Sequence, residues 1–363
     1  MRTAGVWRRP LRSVIAFPPR SGWHTLRMPD HLVGLDAIEA ARHVVAGRVH
    51  RTPILSSATA ARVLLETTGR RVAGDTVHLK SEHLQVTGSF KPRGMTAKVA
   101  SLTPAERERG IVTLSAGNAA QAYAWAGRDA GVQVTVVMPE RAVRSKVEAC
   151  LGYGAEVVLH GAHVGETLLR LREIETERNL VYCHPFDDPA VIAGHGSVGL
   201  EILEDLPDVD VVVVGVGGGG LISGIAGALK ENRPEIRVYG AEPEGANAMA
   251  LALERGEVVP VTPSTVADGL AAPFAGEWTL AMCRRYLDGL FLLDDATILA
   301  GVRFAAERMK QVLEPAGAAA LAAVLFGRVP LRSGDTVCVV ASGGNIELSR
   351  LGTLLEGAAV LPS

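Results

Sequence analysis

The 363-residue sequence is poor in aromatic side chains (4%) and in cysteine (four residues), and its 37 basic and 39 acidic side chains nearly cancel. Each shortage excludes a class of protein. A net charge of −2 leaves no electrostatic footprint for nucleic acid or for an anionic membrane surface. Cys150, Cys183, Cys283 and Cys338 lie far apart and form no C-x-x-C pair. Neither a disulfide framework nor a cysteine zinc site follows, and a reducing cytoplasm is the expected location. No apolar run reaches the roughly 18 residues that a membrane-spanning helix requires. Internal repeats, heptads and low-complexity tracts are missing as well. What the chain does have is apolar material, 48% of its residues, enough to offset ordering entropy in a globular fold. Its length calls for two domains or one core with a large insertion. The expected partner is a small molecule, with no nucleic acid and no membrane.

The first 28 residues hold six arginines and no acid, a composition that superficially resembles a transit segment. Pro10, Pro18 and Pro19 interrupt any helix there, so residues 1–28 are expected to be a disordered or spurious extension, with Met28 as an alternative start. From Leu35 the residues Ile38, Ala41 and Val45 continue a helical spacing that stops near Gly47. Beyond it, strands are expected at Ile111–Leu114, Val132–Met138, Glu156–Leu159, Val209–Val214, Ile236–Glu242 and Thr336–Ala341. Helices are expected between them at Ala119–Ala130, Ala142–Leu151 and Leu221–Leu229. Runs such as Val211-Val212-Val213-Val214 suit strands buried on both faces, so the fold class is α/β, with doubly wound parallel sheets.

Four segments carry chemistry. In Val214-Gly215-Val216-Gly217-Gly218-Gly219-Gly220-Leu221, glycines between a strand and a helix let backbone amides crowd around an anion, and the helix N-terminus favours negative charge. The same residues satisfy G-x-G-x-x-G through Gly215, Gly217 and Gly220, with Glu242 at the end of the next strand, so a nicotinamide-dependent oxidoreductase is a serious reading of this motif. In Thr87-Gly88-Ser89-Phe90-Lys91-Pro92-Arg93-Gly94, a lysine sits in a bounded turn beside an aromatic ring. Most lysines are solvated surface charges, but a fixed, depressed-pKa amine suits Schiff-base chemistry, and Phe90 suits a flat ring. A phosphate cradle plus such a lysine meets two requirements of pyridoxal 5′-phosphate, whereas the nicotinamide reading has no use for Lys91. Ser115-Ala116-Gly117-Asn118-Ala119 is equally readable as helix capping or as a site for a substrate carboxylate. Ser342, in Ala341-Ser342-Gly343-Gly344-Asn345, is readable as a turn hydroxyl or as a partner for a ring nitrogen at the C-terminal end of a strand.

Together these residues resemble the fold-type II pyridoxal-phosphate enzymes, within them the serine/threonine dehydratases (threonine ammonia-lyases), with serine racemase as a close relative. The resemblance runs from about Leu35 to about Leu355. It includes the landmarks Arg51-Thr52-Pro53, His184-Pro185-Phe186-Asp187-Asp188, Ala267-Asp268-Gly269 and Glu314-Pro315-Ala316-Gly317. It implies two doubly wound domains with parallel or mixed sheets and the cofactor in the cleft between them, residues 29–109 and 188–363 forming the large one and 110–187 the small one. It implies that Lys91 carries pyridoxal 5′-phosphate as a Schiff base and acts as the catalytic residue. Phe90 and Gly269 would flank the ring, and Asn118 would bond its hydroxyl. Gly217, Gly218, Gly219, Gly220 and Leu221 would hold the phosphate, and Ser342 would meet the ring nitrogen. Ser115, Ala116, Gly117, Asn118 and Ala119 would receive the substrate carboxylate.

Some positions depart from the family pattern. The family often has histidine where Ala119 stands, and its racemising members have a second serine where Ala116 stands. Some relatives bind a divalent cation, but only Glu242 and Ala246 match that ligand set and Ala248 fills the third place, so such a cation is doubtful. With 21 residues after Ser342, no C-terminal regulatory domain is expected. The implied activity is elimination of water from L-threonine or L-serine, giving 2-oxobutanoate or pyruvate and ammonia, by a homo-oligomer (dimer or tetramer). A hydroxyaspartate dehydratase, a β-replacement enzyme and an amino-acid racemase remain as related readings.

Overall fold

The computed structural model describes residues 14–15 and 32–361. Eleven strands fall into two sheets among the described residues. The larger sheet contains β1 (Val14–Ile15), β2 (Ile54–Ser57), β3 (Val77–Lys80), β8 (Val211–Gly215), β9 (Arg237–Pro243), β10 (Gly289–Leu293) and β11 (Val337–Val340). The smaller contains β4 (Ile111–Leu114), β5 (Val134–Met138), β6 (Glu156–Leu159) and β7 (Val181–Tyr182). The large sheet runs β1-β10-β9-β8-β11-β3-β2, and only its two edge strands, β1 and β2, are antiparallel to their neighbours. The order β6-β5-β4-β7 of the small sheet is parallel throughout.

Helices cover both faces of each sheet, which is why β5, β8 and β11 are buried along their whole length. On one face of the large sheet α1 (Leu35–Val45), α8 (Pro189–Asp205), α9 (Gly220–Asn232), α10 (Ala248–Arg255) and α11 (Glu277–Tyr286) share a core with Val212 and Val214. On the other, α2 (Ala58–Thr68), α12 (Asp295–Phe304), α13 (Pro315–Leu325) and α14 (Leu348–Leu355) pack on Val211 and Val213. Adjacent valines of one strand thus serve opposite cores, as the period of two requires. Around the small sheet, α3 (Lys91–Ser101), α5 (Asn118–Ala130) and α6 (Arg144–Gly152) lie on one side. Leu171 and Ile174 of α7 (Val164–Glu177) cover the other. The short α4 (Pro104–Arg109) starts at a capping box made by Thr103 and Glu106, as a Thr-x-x-Glu sequence favours.

The six expected strands are present, with ends moved by at most two residues. Four others, β2, β3, β7 and β10, and the described pair β1 escaped the sequence reading. The expectation that residues 1–28 form an extension falls outside the described residues, except for Val14–Ile15, which pairs with Phe291 and Leu290 of β10.

A buried charge cluster joins the elements around Lys91. Arg93 is fully buried, and its guanidinium donates to both oxygens of Glu82 at 2.8 Å, to both oxygens of Glu201 at 2.7 and 2.8 Å and to His50 O at 3.2 Å. Lys80, also fully buried, reaches Glu201 at 2.6 Å. Removing one partner from such a cluster strands the others without water. Arg93→Met is therefore expected to destabilise the fold by about 3–5 kcal/mol. Asp129→Ala, which breaks the exposed pair with Arg48, is expected to cost under about 1 kcal/mol. Thermal unfolding of both variants measures the difference.

Candidate active site

The first turns of three helices converge on a single cavity of about 400 Å³, floored by the C-terminal ends of the large sheet. It is lined by Phe90 and Lys91 at the start of α3, by Ser115, Ala116, Gly117, Asn118 and Ala119 at the start of α5, and by Gly217, Gly218, Gly219, Gly220 and Leu221 at the start of α9. Gly269 and Ser342 complete the set, so every residue that the resemblance assigns to pyridoxal phosphate or to the substrate carboxylate borders this one space.

Local sequence explains each wall. Pro92 at the second position of α3 has no amide to leave unsatisfied and fixes a helical φ. Gly219 has φ +90°, a conformation that side chains rarely adopt. A Cβ at Gly218 would meet the Phe186 ring at 2.5 Å, and one at Gly217 would meet Leu270 Cα at 2.9 Å. The glycines therefore serve close packing as well as giving the cavity a wall of bare backbone. Ser223 is the first amide of α9 to donate back along the helix, to Gly219 O at 3.0 Å, which leaves the amides before it for an anion. The α5 start has the same character: Gly117 N donates to Ser115 Oγ at 3.1 Å, and the following first-turn amides have no partner within the helix.

The polar groups of the cavity are few and coupled. Burial pushes the Lys91 ammonium down to about 8, against an opposing pull from Glu314. The amine donates to Pro185 O at 3.2 Å and lies 5.0 Å from the centre of the Phe90 ring. Phe90 is held from behind by the His195 ring, edge-on at 4.7 Å. Burial raises the Glu314 carboxyl to about 7, and Asn118 Nδ2 donates to it at 2.6 Å. Asn345 Nδ2 in turn donates to Asn118 Oδ1 at 2.9 Å, which fixes the orientation of the Asn118 amide. The hydroxyl of Ser342, a residue 4% exposed, makes only a long 3.4 Å bond to Ala316 O. His184 is held to about 4 by burial, so it is neutral, and its Nδ1 accepts from the amides of Asp187 at 2.8 Å and Phe186 at 3.3 Å. That bond shapes the turn which presses Phe186 against the glycine loop.

In the sequence Glu314 and His184 stand out only as family landmarks, and Lys146, Arg141 and Asn345 carry no site signal of their own. The one available signal for Glu314 was its place before Pro315 at a helix start. Glu242 and Ala246, the two residues matching the cation ligand set of some relatives, lie away from this cavity. Glu242 is fully buried and accepts from Met249 N at 2.8 Å and Ala250 N at 2.9 Å. Its carboxylate is held at the start of α10, away from the glycine loop's cavity. Among the described residues, no three His, Cys, Asp or Glu side chains gather as a metal site. No helix among them is long and apolar enough to cross a membrane.

A family model described as pyridoxal-phosphate dependent enzyme matches residues 45–343. The L-threonine ammonia-lyase of Thermotoga maritima is 40% identical over 330 residues, spanning 91% of this chain and 80% of that protein. A catabolic L-threonine dehydratase of Escherichia coli K12 is 41% identical over 322 residues, 88% of this chain and 95% of that one. Among solved structures, maize serine racemase is similar with a TM-score of 0.83 at 33% identity, covering 89% of this chain and 97% of that one.

The neutral form of an amine attacks an aldehyde, and Lys91 gains that form as pH rises through about 8. Borohydride trapping of the cofactor-free chain with pyridoxal phosphate, followed by peptide mapping, should place the adduct on Lys91. The trapping rate should level off above that pH, while ordinary lysines keep rising towards their pKa of about 10.4. Glu314→Gln removes the charge that favours the ammonium and should move the midpoint to lower pH. An adduct on another lysine would overturn the assignment.

Proposed function

The chain belongs to the pyridoxal-phosphate dependent enzymes, and from that premise we propose that it eliminates water from L-threonine and L-serine, yielding 2-oxobutanoate or pyruvate and ammonia. The observation that carries this reading is the meeting of Lys91, the bare glycine loop and the α5 amide turn in one cavity. The residues present fit the cofactor. A low-pKa amine faces the same space as a helix N-terminus for a phosphate, an aromatic ring stands beside the amine, and Asn118 and Ser342 supply neutral polar contacts. When bound, pyridoxal phosphate supplies a conjugated ring that withdraws electrons from the substrate Cα.

In this reading Lys91 holds the cofactor, and Gly217–Gly220 with Leu221 hold its phosphate. Phe90 and Gly269 would flank the ring, Asn118 would bond its hydroxyl and Ser342 would meet its nitrogen. The amides of the Ser115–Ala119 turn bind and orient the substrate carboxylate. Lys91, when not bound to the cofactor, would be the base that takes the proton from Cα. Ser342 offers the ring nitrogen a neutral hydroxyl and not a carboxylate, which limits how long negative charge is stored at Cα and favours prompt departure of the β-hydroxyl. We also take residues 110–187 as a small domain inserted in a larger one. The four cysteines are all buried and free, which suits a reducing compartment.

A second reading rests on Arg141, which borders the cavity, is exposed and has no ion pair among the described residues. An unpaired guanidinium there would suit a substrate with a second carboxylate, so 3-hydroxyaspartate is the alternative to threonine. Measuring 2-oxo acid formation from threonine, serine and 3-hydroxyaspartate separates the two. If 3-hydroxyaspartate is preferred and Arg141→Ala abolishes the preference, the second reading holds.

Reaction choice depends on Ala116, which borders the cavity without a hydroxyl to exchange a proton on the face opposite Lys91. Dehydration of L-serine should therefore outrun racemisation, and Ala116→Ser should add measurable D-serine. Chiral chromatography beside the 2-oxo acid assay checks this. Faster formation of D-serine than of pyruvate by the unaltered chain would sink the argument.

A further inference from the structure

A carboxylate outside the roles assigned above ties three parts of the molecule together beside the cavity. Asp268 Oδ2 accepts from Lys146 Nζ at 3.2 Å, in α6 over the small sheet, and from Arg350 at 3.1 Å, in α14 over the large sheet. Its Oδ1 accepts from the amide of Gly269 at 3.1 Å. Next to Lys146, Ser145 Oγ donates to Glu347 Oε1 at 2.6 Å, so the first turn of α6 is tied to the start of α14 once directly and once through Asp268. Lys146 is 11% exposed and Asp268 35%, which weakens solvent screening of this pair relative to a fully exposed one. Lys146 and Asp268 border the active cavity, whereas Arg350 borders only a neighbouring one of about 220 Å³ shared with Gln121, Ser145, Asn345 and Glu347.

We propose that Asp268 is a positioning residue: by bridging Lys146 and Arg350 and holding the Gly269 amide, it locks the small-sheet unit against the large one in the geometry that faces the substrate turn towards Lys91. This rests on the elimination reading for its kinetic test and on the structure alone for its second test. A break in the bridge loosens how the α5–α6 side of the cavity meets the substrate, while the cofactor contacts at Lys91 and the glycine loop stay intact. Substrate affinity is therefore the quantity it governs. Arg350 is the informative handle, because it does not border the cavity and its hydrogen bond towards it is to Asp268.

In the holoenzyme, Arg350→Met should raise KM for threonine about threefold, as expected for one partly exposed ion pair, with kcat and the visible absorption of the bound cofactor nearly unchanged. Arg350→Lys should restore KM. In an Asp268→Asn background, Arg350→Met should have no further effect. Amide hydrogen exchange of the same proteins should show faster exchange in residues 144–152 and 268–272 for either variant. An unchanged KM in Arg350→Met, or effects that multiply in the double variant, overturns the proposal. If the unaltered protein does not turn over threonine, the elimination reading fails by itself. Exchange then decides alone, and unaltered protection in residues 144–152 overturns the bridge.

Discussion

The arrangement around Lys91 depends on one interaction, the fully buried guanidinium of Arg93 shared between Glu82 and Glu201. All three nitrogens of Arg93 are used, and the carboxylates they meet come from the turn after β3 and from α8. Lys80 closes the group by donating to Glu201 and to Thr52 O at 2.7 Å. Such a cluster is a poor source of net stability, because each ion gives up its hydration to enter it. What it provides is position. Arg93 stands two residues after Lys91, so the start of α3 is fixed in three directions at once. A lysine that must meet a cofactor and then a substrate proton needs that start to stay where it is.

Small residues do the complementary work on the same helices. A Cβ at Gly94 would meet the His195 ring at 2.4 Å, one at Gly194 would meet Arg93 O at 2.4 Å, and one at Gly224 would meet Ile192 O at 2.3 Å. The axes of α3, α8 and α9 thus approach more closely than any side chain would allow. Through these contacts the helix that carries Lys91 and the helix that opens behind the glycine loop are both packed on α8. The cavity therefore inherits its shape from a rigid layer, and its electrostatics follow from the burial that the layer imposes. Within it an amine held near 8 and a carboxyl held near 7 lie close to the pH at which a proton is exchanged cheaply.

Much of this was legible in the sequence, for identifiable reasons. Strands such as Val211–Gly215 and helices such as Asn118–Ala130 carry an unbroken apolar run or a clear period, and the site motifs are contiguous segments at strand-to-helix turns. Ile54–Ser57 was missed because its two serines break the apolar pattern, and Gly289–Leu293 because a short apolar run beside helical segments reads equally well as buried helix. Their place is decided by pairing with β3 and β9, which is long-range information. Arg93, Glu82 and Glu201 were illegible as a cluster for the same reason: buried ions look like surface charges until the chain is folded. Glu314 and Asn345 became site residues only because α13 and the turn after β11 deliver them beside Asn118.

The glycine loop shows why a motif alone does not name a cofactor. Its spacing satisfies a dinucleotide pattern, and its amides suit any phosphate, because the favourable field at a helix N-terminus does not depend on the rest of the ligand. Discrimination comes from what else the fold brings to the same space. A dinucleotide reading needs the carboxylate after the next strand to reach a ribose, yet Glu242 is sealed in the core, where its oxygens accept from the amides of Met249 and Ala250. Burial raises that carboxyl to about 8, against the two amides that lower it, and its oxygens brace the start of α10. Lys91, by contrast, comes from more than a hundred residues earlier in the chain and opens on the loop's own cavity. The same backbone device thus serves a different chemistry, and the amine that the fold places in its cavity decides which.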